Sequence, residues 1–192
     1  MRNFSKNVRK FIDPFMSGKG FIYSSGYYKN EQSNGVRLMI AFDNGGIDKN
    51  SFNIMLLVNS VELDDDRGAY CNCYFTGGSL SPLAKKIPCH NVRFLEGQLQ
   101  RFIDQYDEVI APYFSSFKDC SDIADKLSDD SALSSYAADL YFHSGNKRKA
   151  KKSYKAWIEH LLTITYIDND KVEDAILKTK AKIKRCGVFN RA

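Results

Sequence analysis

The stretch GYYKNEQSNGVRLMIAFD, residues 26–43, decides the fold. Ser33-Asn34-Gly35 separates two runs of strand-forming residues, and Asn-Gly supplies the positive φ angles of a tight hairpin turn. Beyond it Val36, Leu38, Ile40 and Phe42 alternate onto one face, the period-2 pattern of a half-buried strand. Moving outward, a second Asn-Gly, Asn44-Gly45, precedes SFNIMLLVNSVEL (51–63). That run is apolar at successive positions in its centre, as a central strand covered on both faces requires. After DDDRG (64–68) comes AYCNCYFT (69–76), in which Tyr70, Asn72 and Tyr74 oppose Cys71, Cys73 and Phe75. The short turns predict a four-stranded antiparallel meander.

On the N-terminal side, Phe4, Val8, Phe11, Ile12 and Phe15 recur at helical spacing, with Arg9 and Lys10 outside the stripe. Pro14 falls in the last turn, and Gly18 and Gly20 end the helix. On the C-terminal side, GGSLSPLAKKIPCHNVR (77–93) has two prolines and little periodicity and reads as a loop. Leu95, Leu99, Phe102, Ile103, Tyr106, Val109, Ile110, Tyr113 and Phe114 then form the most regular helical stripe, which Pro112 kinks or ends. A short helix around Ile123 and Leu127 leads to LSDDSAL (127–133), the expected joint. Three helices follow: Ala132 to Phe142, Lys147 to Thr163, and Lys171 to Cys186, the last capped by Asp170 with Glu173 and closed by Gly187. The expectation is an α+β protein: an N-terminal helix and antiparallel meander over residues 1–128, and a basic helical extension over residues 129–192.

Of 192 residues, 43% are hydrophobic and 13% aromatic, enough for a packed core. The formal charge of +5 is uneven, with thirteen Lys and Arg against five Asp and Glu from Ser144 onward. The N-terminus has no signal-like apolar stretch, and the densest apolar run, Ile54 to Val58, is far short of the roughly 20 residues a membrane helix needs. Five cysteines, an odd number without a paired framework, suit a reducing cytoplasm.

Two resemblances follow. The helix ending at GKGF (18–21), the hairpin of residues 26–42, FNIMLLVNSVEL (52–63) and FIDQYDEVIAPYF (102–114) together resemble a bacterial family catalogued only as a domain of unknown function, over about residues 4–127. That family shows a helix, a Gly-Phe, an antiparallel sheet whose second strand often carries an INFQ-like run, and C-terminal helices. Here Asp43 stands where its Gln would be. The resemblance implies no catalytic residue; it does imply an occasional association with toxin-immunity loci. Separately, Ala138, Tyr141, Gly145, Ala150 and Tyr154 fall in the order of one tetratricopeptide unit, with Trp157 where a small residue is usual.

HSGNKRKAKKSYKAW (143–157) is the densest basic run. On a helix beginning near Lys147, Ala150, Tyr154, Trp157, Ile158 and Leu161 share one side, while Arg148, Lys151, Lys152 and Lys155 lie away from it. A surface for single-stranded nucleic acid needs aromatics exposed beside the cations, so this pattern argues against nucleic acid. It leaves a solvated face or a surface for an acidic protein or other polyanion.

Cys71-x-Cys73 with Cys89-His90 has zinc-like composition without the usual spacing, and reads as core. Asp64, Asp65 and Asp66 read as a hairpin tip, His90, His143 and His160 lack a nucleophile partner, and SGKG (17–20) lacks the phosphate-loop pattern. No metal or cofactor is expected. The sequence thus favours a non-catalytic, cytoplasmic bacterial binding protein with a protein partner, of immunity type or another interaction module, with its oligomeric state open. The rival is an enzyme in which Tyr70, Tyr74, Lys85, His90 and Arg93 meet over the sheet face and the 77–93 loop.

Overall fold

Gly35, at φ 81°, turns the expected hairpin, with the positive φ on the glycine and not on Asn34, and the meander extends further on both sides. The structure, a computed structural model, describes residues 3–44, 50–63, 71–76, 78–84 and 86–187, of which residues 71 and 72 are described by backbone alone. Asp64, Asp65, Asp66, Tyr70 and Lys85 lie outside the described residues. The chain divides into two compact units: Met1–Val61 with Asp65–Lys118, and Glu62–Asp64 with Asp119–Ala192.

The first unit is an α+β assembly. Its sheet runs β1 (Ile22–Ser24), β2 (Tyr27–Glu31), β3 (Val36–Asp43), β4 (Ser51–Ser60), β5 (Cys71–Phe75) and β6 (Leu80–Ser81), each antiparallel to the next, with β7 (Ile87–Pro88) paired to the start of β4. Among the described residues seven strands replace the expected four. The strands that sequence reading left out are two or three residues long, too short for alternation to register. Two of them lie in the stretch expected to be a loop; there Phe52 pairs with Ile87, and the Cys89 N–H donates to the Asn50 carbonyl at 2.7 Å.

β3 and β4 pair over eight residues, Val36 opposite Ser60 through Asp43 opposite Asn53. One face, with Val36, Ile40, Ile54, Leu56 and Val58, is buried. The other carries a second cluster of Met39, Ala41 and Leu57, with Tyr27 and Met55 packed on it, so β4 is apolar on both faces as its sequence required. Helices α1 (Phe4–Gly18) and α2 (Val92–Asp104) pack on each other and on the first face. Phe4 meets Phe52 at 5.5 Å between ring centroids, while Phe102, fully buried, meets Phe42 at 5.2 Å and Phe75 at 5.7 Å.

The long stripe after residue 95 breaks where Pro112 stands. Pro112 has no N–H for the carbonyl four residues back, and Tyr106–Ile110 widens into a π-helical turn before α3 (Ala111–Ser115).

The second unit contains α4 (Cys120–Leu127), a 3₁₀ turn at Ser131–Leu133, α5 (Ser134–His143), α6 (Lys147–Thr163) and α7 (Asn169–Gly187). Each helix packs on its neighbours in sequence. Asp119 caps α4 with its carboxylate on the Ser121 and Asp122 N–H groups. The two units therefore part at 118/119 and not at 128/129, because α4 packs on α5. Gly145, at φ 82°, makes the α5–α6 turn. α7 begins at Asn169, which places Asp170 in its first turn and not at its cap.

Phe102 sits where both helices meet the sheet. Phe102→Ala is expected to cost about 3–5 kcal/mol in denaturant unfolding, against less than about 0.5 kcal/mol for Leu83→Ala at a position 72% exposed. Equal effects of the two would contradict this core.

Candidate functional site

The polar chemistry of the second unit is organised by two carboxylates. Asp125 on α4 accepts a hydrogen bond from the Tyr141 hydroxyl on α5 and another from Lys149 Nζ on α6 at 2.6 Å. Asp139 on α5 accepts from the Tyr154 hydroxyl on α6 and from Lys182 Nζ on α7, at 2.8 and 2.9 Å to its two oxygens. In each set the ammonium also lies over the tyrosine ring, at 5.2 Å for Lys149 and 5.6 Å for Lys182. An aspartate on one helix, a tyrosine on the next and a lysine on the one after are thus clamped together twice in succession.

The electrostatics follow from these contacts. The bond from Lys149, and then that from Tyr141, holds the Asp125 carboxyl below the usual carboxylate range. Burial, then the bond to Asp125, pushes the Tyr141 phenol up to about 12. Burial and the neighbouring Asp139 raise Tyr154 further. These phenols are donors locked in the neutral form, the opposite of an activated base or nucleophile.

The clamps divide the cations of the basic run. Lys149 is committed to Asp125. Arg148, Lys151, Lys152 and Lys155 are all exposed, and none forms a hydrogen bond or ion pair with a described residue. They span about 100° of α6 and roughly 10 Å of its length. The dry side holds Ala150, Tyr154 and Leu161, all buried. Trp157 is only half-buried, its ring stacked on His160 at 5.4 Å, so the expected inward orientation is complete for Tyr154 and partial for Trp157.

Beside the second clamp, a cleft of about 180 Å³ is lined by Asp139, Phe142, His143, Tyr154, Lys182 and Arg185, with Leu63. Its polar groups are already engaged: Lys182 is held by Asp139, His143 Nδ1 lies 2.9 Å from a Glu62 carboxylate oxygen, and the Arg185 guanidinium covers the Phe142 ring at 5.2 Å. It is smaller than the usual 300–1,000 Å³ of a ligand pocket. In the first unit, a concavity of about 290 Å³ is lined by Arg9, Tyr23, Tyr27 and Asp43 among others. There Arg9 is engaged by Asp13 at 3.3 Å and covers the Tyr23 ring at 4.4 Å.

The residues of the enzymatic alternative are not gathered in the described structure. Tyr74 is half-buried on β5, opposite Met55 and Ser81. His90 is exposed beside Phe94, and Arg93 lines a shallow surface concavity with Phe94 and Arg101. Cys89 is buried while His90 is exposed, so the two side chains of that zinc-like pair part company. Among the described residues no three His, Cys, Asp or Glu side chains converge as metal ligands would, and no helix is long and apolar enough to cross a membrane.

No protein-family model, curated protein or solved structure matches the chain.

The clamps were not foreseen, because Tyr154 reads from its spacing as a core aromatic and the carboxylate that its hydroxyl meets lies on another helix. The signal was Asp followed by Tyr at 16 and then 15 residues, Asp125 to Tyr141 and Asp139 to Tyr154. The raised phenols fix the sign of the alkaline response. Above about pH 10 the unfolded chain loses tyrosine protons that the native chain keeps, so stability falls as pH rises. Tyr154→Phe is expected to flatten that decline in denaturant titrations between about pH 9 and 11, with a cost at neutral pH of about 1–3 kcal/mol for the lost bond to Asp139. An unchanged slope would remove Tyr154 from the account.

Proposed function

We propose that this protein is a non-catalytic binding protein whose exposed α6 face, Arg148, Lys151, Lys152 and Lys155, engages an acidic protein surface. The observation that carries the reading is the division of cations within one helix. Lys149 is paired with the Asp125 carboxylate of its own chain, while these four face solvent with no acid partner among the described residues. Unopposed charges on a rigid helix steer an oppositely charged partner and fix its register, and they add little to the fold of their own chain. The aromatic residues that would stack on bases lie on the other side of the helix or half-buried at its edge, which favours a protein over a nucleic acid. An immunity-type role, in which the basic face covers a partner's functional surface, is the form of binding that the sequence resemblance favours. The enzymatic alternative has less support, since Tyr74, His90 and Arg93 share none of the concavities described above.

Lys151→Glu/Lys152→Glu leaves the fold intact, with a stability change under about 0.5 kcal/mol per exposed site. The same change is expected to abolish capture of an acidic protein from native lysate, and wild-type capture should weaken from low to physiological salt, where screening cuts the reach of exposed charge to about 8 Å. Capture that ignores both salt and charge reversal would rule out this face as the binding surface.

A further inference from the structure

The outward face of α7 carries a pattern that the fold does not use. Asp170, Glu173, Asp174, Leu177, Lys180, Ala181 and Lys184 all lie within 60° of Leu177 at 100° per residue, and all are exposed. The opposite side, with Val172, Ala175, Ile176, Thr179, Ile183 and Cys186, is buried or half-buried. Leu177, 68% exposed, stands at the middle of a helix of 19 residues. The acids precede it and the lysines follow it.

A helix dipole favours acids early and bases late, but it does not choose a face. Here all three acids of α7 lie on one stripe. Asp170, Glu173, Lys180 and Lys184 have no hydrogen-bond or ion-pair partner among the described residues, and only Asp174 has one, the exposed Lys178 at 2.6 Å. The stripe is also its own complement. Set antiparallel to a second copy about a twofold axis at Leu177, it places Asp170 opposite Lys184, Asp174 opposite Lys180 and Leu177 opposite Leu177, while Glu173 faces the small Ala181. Isologous pairing requires just this relation, in which one surface is complementary to itself. The exposed apolar residues Leu162, in the last turn of α6, and Tyr166 and Ile167, in the connection to α7, precede the same helix, and an open surface concavity of about 630 Å³ lies along Asp170, Leu177 and Lys180.

We infer that α7 is a homodimerisation surface, with two copies of this chain pairing antiparallel along the Asp170–Lys184 stripe. The inference is independent of the partner proposed for α6.

Sedimentation equilibrium of the full chain, from micromolar to hundreds of micromolar, tests it. The wild type is expected to form a dimer that weakens as salt rises. Leu177→Glu places two carboxylates at the axis and should raise the dimer dissociation constant at least tenfold, and far-UV circular dichroism should be unchanged. Asp170→Lys alone sets lysine against lysine, and Lys184→Asp alone sets aspartate against aspartate, so each variant should be monomeric. An equimolar mixture of the two restores both opposite-charge contacts and should dimerise again. A wild type that stays monomeric throughout the range overturns the inference. So does a dimer indifferent to Leu177→Glu, or a mixture no more associated than its components.

Discussion

A carboxylate inside a helical stack must be met by donors, and in this protein that requirement fixes how three consecutive helices are joined. Asp139, with 12% of its side chain exposed, would be costly to bury alone; it is answered by the Tyr154 hydroxyl and by two contacts from Lys182. Asp125 repeats the arrangement one helix earlier in a more exposed setting. Hydrogen bonds to an ionised acceptor are stronger and more directional than neutral ones, so the clamps set the rotation of α5 and α6 as well as their distance. Hydrophobic contact alone, through Ala137, Leu140, Ala150 and Leu161, would tolerate sliding.

The clamps also decide which charges remain for others. The basic run after His143 looks uniform in sequence, yet Lys149 turns to Asp125 while Arg148, Lys151, Lys152 and Lys155 are left outside. Since the clamped hydroxyls are held neutral and the small cleft beside the second clamp is lined by Asp139, Tyr154 and Lys182, which already engage one another, the unit offers surface charge more readily than acid–base chemistry. The binding reading rests on that contrast.

Much of the architecture was legible because it depends on local period. Phe4 to Phe15 steps by helical turns and that helix buries Phe4, Val8 and Ile12 on the stripe, whereas Val36 to Phe42 alternates as a half-buried strand would, yet β3 is buried on both faces from Val36 to Ala41 because Met39 and Ala41 join the second cluster. β6 and β7 were not legible, since two residues cannot display a period and their pairing is set by β5 and by the start of β4. The boundary at 118/119 was hidden for a related reason: α4 belongs to the second unit through contacts with α5, whereas Ser128 to Ser131 merely looks like a joint. At the candidate site, the outward direction of the four cations follows from helical spacing. The commitment of Lys149 and Lys182 does not, because their partners lie 24 and 43 residues away.

The central claim is that the lysines of the C-terminal helices are of two kinds, those spent on clamps and those left on the surface. Brief amine labelling of the native chain, read residue by residue by mass spectrometry and normalised to the denatured chain, tests it directly. Lys151, Lys152 and Lys155 should label severalfold faster than Lys149 and Lys182, whose ammonium groups must first leave Asp125 and Asp139. Equal native rates for all five would contradict the account, because no clamp would then distinguish the free face from the structural one.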